Sequence, residues 1–239
     1  MVAVTRDAAG RPRWRGRLAI GGVVVALILV ASLVLLSSLQ SLVGTPPPAL
    51  AMPVAALGDE RGTTPLDGIW NAGPGSIAGY RLPLSMLGQR VMLAGRTDEV
   101  WGSMTVSGTS VSSGSFTVSL ARVVSGPTQR KAAGADAYPT AAFVLVRPVE
   151  LSAIPPNGVV RQFTAIGNLT MHGVARSVTL TASARRTGGT IDVLADIPVV
   201  FTDWSISIPD YGALGTPQSP STLEVLLRLT RGPGNTPST

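Results

Sequence analysis

The chain has 239 residues, of which 45% are hydrophobic and 13% charged, with no cysteine and one histidine. Without cysteine it cannot form disulfides or carry a lipidated-cysteine anchor, and a single histidine excludes the usual zinc sites and Cys-His catalysis. The formal net charge is +6, but residues 1–17 hold five arginines and one aspartate, so +4 belongs to that segment. The nearly balanced remainder argues against a nucleic-acid-binding surface.

The first predicted element is a transmembrane helix. From Leu18 to Leu36 almost every residue is aliphatic, and no charged residue follows until Asp59. A helix of that length spans roughly 28 Å, close to the hydrocarbon thickness of a bilayer. Because the arginines precede it, the positive-inside rule predicts a single-pass cell-membrane protein with a cytoplasmic N-terminus and an extracytoplasmic C-terminal domain.

A cleaved signal peptide is the alternative, with Ala49-Leu50-Ala51 as the cleavage site, although the apolar run is longer than a typical h-region. With the helix retained, composition divides the chain into a basic cytoplasmic tail, a transmembrane anchor, a linker rich in proline and glycine, a β domain and a disordered tail. The predicted bounds are 1–17, 18–43, 44–66, 67–231 and 232–239.

After the linker, hydrophobic and polar residues alternate with a period of two. The alternation occurs within Val100–Val106, Phe116–Leu120, Phe163–Met171, Val178–Ala182, Ile191–Val193 and Leu223–Leu229. Runs of this kind, separated by turn-forming residues, predict eight or nine antiparallel strands with one buried face. Both a β-sandwich and a closed β-barrel fit this all-β pattern.

Several motifs of this domain resemble the YceI-like family. They are Asp67-Gly68-Ile69-Trp70, Val100–Val106, Tyr138-Pro139-Thr140-Ala141-Ala142-Phe143 and Gly167–Val178. The resemblance extends over essentially the whole β domain. It implies a lipocalin-like antiparallel β-barrel of about eight strands with a long apolar tunnel, which in some members holds a polyisoprenoid lipid.

The apolar face of the strands supplies the predicted cavity lining. An eight-stranded barrel is wide enough to be filled by side chains or to hold one small ligand. The predicted lining residues are Phe116, Val118, Leu120, Phe143, Leu145, Phe163, Ala165, Leu169, Val178 and Leu180. Small residues such as Ala165 on this face favour an open interior, and they fit bends or a packed plug equally well.

A charged lipid headgroup would need hydrogen-bond donors at one rim of the barrel. In an antiparallel meander Arg122, His172 and Arg176 fall at one end, which is the predicted headgroup rim. The opposite end carries a second set of arginines: Arg147, Arg161 and Arg186. His172 has a simpler interpretation, in which its ring only bonds the backbone of its own turn.

The sequence therefore predicts a membrane-tethered, extracytoplasmic protein that sequesters or carries an isoprenoid-type lipid in a barrel cavity. We expect no catalytic residue, metal or cofactor, and no nucleic-acid partner; protein partners are not predicted. The alternative is a non-catalytic structural or interaction module of the cell envelope with a packed barrel. An isomerase or cyclase would need an inward acid or base, and the pattern nominates no inward carboxylate.

Overall fold

The computed structural model describes residues 46–54, 65–86, 89–125, 135–151, 156–207 and 216–232. All of them belong to one compact unit, Thr45–Thr239. The predicted basic tail and transmembrane anchor lie outside the described residues, as does nearly all of the predicted C-terminal tail. Within the described ranges no helix has the length and apolar character needed to cross a bilayer.

The described part of the chain is almost entirely strands and turns, and one 3₁₀ helix, Phe201–Trp204, follows β11. The strands are β1 (Gly68–Ala72), β2 (Ile77–Met86), β3 (Gln89–Thr97), β4 (Val100–Ser107), β5 (Ser110–Ser119), β6 (Val124–Ser125), β7 (Thr140–Leu145), β8 (Val149–Glu150), β9 (Val160–Met171), β10 (Val174–Thr187), β11 (Thr190–Val199), β12 (Thr216–Pro217) and β13 (Ser221–Thr230). The period-two alternation of the sequence accounts for β4, β5, β9, β10, β11 and β13, because successive side chains of a strand point to opposite faces.

The sheet closes into an eight-stranded antiparallel barrel in the order β1-β4-β5-β7-β9-β10-β11-β13. Closure comes from β13, whose last residues pair with β1 through Asn71 opposite Thr230 and Ala72 opposite Leu229. Earlier residues of β13 pair with β2, which forms a hairpin with β3 outside the closed ring. The prediction of an all-β, lipocalin-like barrel is confirmed, and the β-sandwich is excluded.

The inward face of the barrel carries two apolar clusters. The first surrounds Trp70, which is fully buried and whose Nε1–H donates to the Leu66 carbonyl at 2.7 Å. The second surrounds Trp204, whose Nε1–H donates to the Leu169 carbonyl at 3.0 Å. Each tryptophan thus satisfies its polar atom while its ring packs against the interior.

Part of the predicted linker lies on the outside of the barrel. We call residues 46–54 the strap; it contains four prolines, which favour an extended backbone. Arg81 Nη1 donates to the Pro47 carbonyl at 2.8 Å. Arg96 and Arg185 donate in the same way to the carbonyls of Pro48 and Pro53. The strap therefore crosses from the β2–β3 hairpin to β10.

A nearly buried carboxylate, Glu224, organises the arginines at the start of the strap. Its side chain is 2% exposed and accepts from Arg96 Nη2 at 2.9 Å, with Arg81 Nε at 3.4 Å. The same two arginines hold the strap carbonyls, so Glu224 fixes the donors that bind the strap. Two cations around one buried carboxylate also offset the cost of removing that charge from water.

A second buried carboxylate, Asp192, forms ion pairs with arginines at the other end of the strap. Arg185 Nη2 lies 3.3 Å from Asp192 Oδ2, and Arg228 Nε lies 3.1 Å from Asp192 Oδ1. Arg185 in turn donates to the strap at Pro53. Both ends of the strap are thus bound by arginines that acidic residues of the barrel hold in place.

Asp196 stands opposite Glu224 in the β11–β13 ladder, on the same outer face. Burial raises the pKa of Asp196, the Glu224 carboxylate raises it further, and Arg81 opposes the change. A carboxyl group whose pKa is raised on folding binds its proton more tightly in the folded state. Ionised Asp196 therefore works against folding.

Replacing Glu224 by glutamine should destabilise the protein by roughly 3 kcal/mol, because two arginines lose their buried counter-charge. Urea unfolding followed by circular dichroism measures the change. Glu150→Gln, which alters an exposed carboxylate on β8, is the matched control. Equal midpoints for the two variants would show that the Glu224 ion pairs contribute nothing to the fold.

Replacing Asp196 by asparagine should stabilise the protein slightly at pH 7, because the neutral amide avoids repulsion from Glu224. Ionised Asp196 lowers the stability of the fold. This loss develops as the pH rises from the ordinary pKa of an aspartate, 3.8, through the raised pKa of Asp196. The advantage of Asp196→Asn should therefore shrink as the pH falls toward 4. Thermal unfolding from pH 4 to pH 7 tests this, and an advantage that grows on acidification would contradict it.

Candidate functional site

Most of the predicted lining residues lie side by side on the inward face of β5, β7, β9 and β10. Phe116 stands opposite Phe143, and Phe143 opposite Leu169. Ala165 stands opposite Leu180 in the β9–β10 ladder. Leu120 differs from the others because it follows the end of β5, where its N–H donates to the Pro139 carbonyl at 2.7 Å.

The interior of the barrel is not completely filled on this side. Leu169 and Leu180 are buried, as are Leu227 and Leu229 on β13. The other predicted lining residues on the strands face inward but keep partial exposure: Phe116, Val118, Phe143, Leu145, Phe163, Ala165 and Val178. Partial exposure of inward-facing side chains means that space at least as large as a water molecule reaches them. The partly exposed side chains named above are all apolar.

The absence of a side chain at Gly167 allows Phe143 to approach β9 closely. Gly167 shares the inward face of β9 with Ala165 and Leu169. The ring of Phe143 on β7 occupies the place that a Cβ atom at position 167 would take. The Phe143 ring can therefore lie flat across β9, which brings a large apolar surface to the interior.

The predicted headgroup rim is placed at the end of the barrel where β9 turns into β10. His172 and Gly173 have φ angles of 50° and 74°, so they form the two-residue turn that joins these strands. The His172 ring lies 4.1 Å from the Tyr138 ring, centroid to centroid. Arg176 Nε donates to the Asp203 carbonyl at 2.7 Å.

Arg122, the third predicted rim residue, lies beyond β5 with its Nε 3.5 Å from Glu99 Oε1. All three rim residues thus contact other protein groups, and headgroup binding by them stays a prediction. The 3₁₀ helix fills the interior at this end, because Trp204 is buried against Leu169. Tyr80 on β2 contacts Phe201 of the same helix edge to face, with ring centroids 6.3 Å apart.

The opposite end of the barrel, at the β10–β11 turn, carries the remaining arginines. Arg161 stands opposite Ala184 on the inward side of β9, and Arg186 stands opposite Ile191 on the inward side of β10. The arginine at position 147 is exposed just after β7. In the described ranges, no three side chains that could ligate a metal come together.

Replacing Gly167 by alanine should destabilise the barrel by about 1–3 kcal/mol, because its Cβ would overlap the Phe143 ring. The midpoint of urea unfolding measures the loss. Gly189→Ala is the control, since a Cβ at that position meets nothing within 4 Å. If both variants unfold at the same urea concentration, Phe143 does not lie over β9 as described.

The chain is similar to a known domain family and to solved structures. The chain matches the model of the YceI-like domain over residues 84–225. A polyisoprenoid binding domain from Saccharophagus degradans, implicated in plant cell wall breakdown, aligns with a TM-score of 0.52 at 16% identity, covering 69% of this chain and 98% of that one. BcnA from Burkholderia cenocepacia aligns with a TM-score of 0.46 at 17% identity, covering 66% and 96%. No curated protein matches the chain. Because the family match covers more than half of its residues, the chain belongs to the YceI-like domain family.

Proposed function

We propose that the barrel binds the apolar tail of an isoprenoid or similar lipid and that the protein sequesters or carries this lipid. The observation that carries the proposal is the set of inward-facing apolar side chains that stay partly exposed, among them Phe116, Phe143 and Phe163. Membership of the YceI-like family and the likeness in fold to a polyisoprenoid binding domain support the choice of lipid.

Apolar contact alone can supply the affinity. Each methylene group moved from water into an apolar site contributes about 0.8 kcal/mol. A tail of several isoprene units therefore gains enough free energy to bind at micromolar concentration, even after the cost of ordering the chain. Its branched methyl groups can pack beside the small, partly exposed side chain of Ala165.

The proposal includes tethering to the cell membrane through residues 18–43, with the barrel outside the cytoplasm. Support comes from the sequence, which combines a charge-free apolar stretch with arginines on its N-terminal side. A tether suits a protein whose ligand is almost insoluble in water, because the lipid leaves and re-enters a bilayer close by.

A structural or interaction module of the envelope is the second candidate. Val144 and Val146 favour it, because these outward-facing residues of and just beyond β7 are 46% and 47% exposed. Exposed apolar surface of this kind is a common feature of protein–protein contacts. A packed module carries no lipid, so one experiment separates the two candidates.

The full chain, purified from the membranes of its own host in mild detergent, should carry a lipid that native mass spectrometry detects. The lipid-free protein should bind farnesol. Ala165→Phe fills the inward face of β9 and should reduce farnesol binding at least tenfold. Ala175→Phe, an exposed outward position on β10, should leave it unchanged. Absence of copurified lipid together with no farnesol binding would refute the proposed function.

A further inference from the structure

The ladder of backbone hydrogen bonds in the barrel wall is interrupted between β8 and β9. Where β7 ends, the Val146 N–H donates to the Ile166 carbonyl at 3.0 Å. Hydrogen-bonded pairs of an antiparallel ladder recur every second residue, so the next pair would be Pro148 with Thr164. Proline has no N–H to donate, and the ladder stops there.

Beyond this point the two strands have different partners. β8 pairs with β5, through Val111 opposite Val149. Residues 160–165 of β9 are bonded to β10, and within the described residues no backbone hydrogen bond joins them to β8. We call the gap between 148–150 and 160–165 the seam.

The inner side of the seam is apolar and open to solvent. Leu145, Phe163 and Ala165 face inward beside it, and all three keep partial exposure. The inward side chains of β13 give a contrast, since Leu227 and Leu229 are buried. The seam therefore lies beside inward-facing apolar side chains that solvent partly reaches.

Two arginines stand at the end of the seam. Arg161 is opposite Ala184, and Arg186 lies two residues further along the same face of β10. Such diagonal neighbours in a sheet are within reach of each other's long side chains. Arg186 Nε donates to the Gly188 carbonyl at 3.3 Å, while among the described residues no carboxylate forms an ion pair with Arg161.

Arg161 differs in its charge pairing from four arginines on the outer face of the barrel. Arg81 and Arg96 share Glu224, and Arg185 and Arg228 share Asp192. At the seam, by contrast, positive charge lies beside accessible apolar surface without a described carboxylate paired to Arg161. This combination fits a ligand that has an anionic head and an apolar tail.

We propose that Arg161 and Arg186 bind the phosphate-type headgroup of an amphiphile whose apolar tail enters the barrel through the seam. This proposal rests on the proposed lipid-binding function and adds the class of ligand and its route. The guanidinium groups donate charge-assisted hydrogen bonds to phosphate oxygens, and the tail passes between Leu145 and Phe163 to the interior.

The test compares farnesyl phosphate, farnesol and inorganic phosphate as probes for the full chain by titration calorimetry. Farnesyl phosphate should bind at least tenfold more tightly than either of the others. Arg161→Gln together with Arg186→Gln should remove its advantage over farnesol, while Arg90→Gln, an exposed position on β3, should preserve it. Circular dichroism checks the fold of each variant.

Each of the other possible results would exclude a stated part of the proposal. Equal binding of farnesol and farnesyl phosphate would overturn the headgroup site but leave the proposed function standing, whereas no binding of either would remove both. If inorganic phosphate binds as tightly as farnesyl phosphate, the site takes a free anion and not an amphiphile. If the advantage disappears in Arg122→Gln with Arg176→Gln instead, the headgroup binds at the opposite end.

The route is tested separately with Pro148→Cys and Thr164→Cys in one chain, which has no other cysteine. Crosslinking the two thiols with a short bismaleimide should slow the association of farnesyl phosphate at least tenfold. The same variant capped with N-ethylmaleimide should associate like the unmodified variant. An unchanged rate after crosslinking would overturn the seam as the route, independently of the arginines.

Discussion

The pairing of β13 with strands on both of its sides is the constraint on which the rest of the structure depends. One edge of β13 bonds to β11, and the other bonds first to β2 and then to β1. No cysteine is present to replace this pairing with a covalent link. The alternation of β13 also defines both surfaces of the barrel, because Leu227 and Leu229 face the interior while Glu224 anchors the strap arginines outside.

Local alternation was enough to predict six strands of the barrel, β4, β5, β9, β10, β11 and β13, and their inward faces. Phe163–Met171 and Val178–Ala182 were predicted as strands, and they lie in β9 and β10 with their apolar residues on the same side. The choice between barrel and sandwich could not be made locally. It depends on the pairing of Asn71 with Thr230, residues almost at opposite ends of the domain. The resemblance to the YceI-like family predicted a barrel, whereas periodicity alone could not distinguish a barrel from a sandwich.

The candidate site, like the fold, could be predicted only in part from the sequence. Strand direction places Arg122, His172 and Arg176 at one end of the barrel. Their contacts are made with residues of other turns. Nothing local in the sequence identifies Glu99 or the Asp203 carbonyl as partners. The seam was missed for a related reason. Pro148 is visible in the sequence, but its effect requires knowing that Thr164 lies opposite, which follows only from the β7–β9 register.

The strap has a consequence for how this protein can evolve. The hydrogen bonds that Arg81, Arg96 and Arg185 donate to it all end on main-chain carbonyls, a group that every amino acid carries. These hydrogen bonds therefore constrain the path of the backbone of residues 46–54 and not the identity of the side chains at Pro47, Pro48 and Pro53. Substitutions at the acceptor positions can therefore preserve these hydrogen bonds as long as the backbone keeps its extended path.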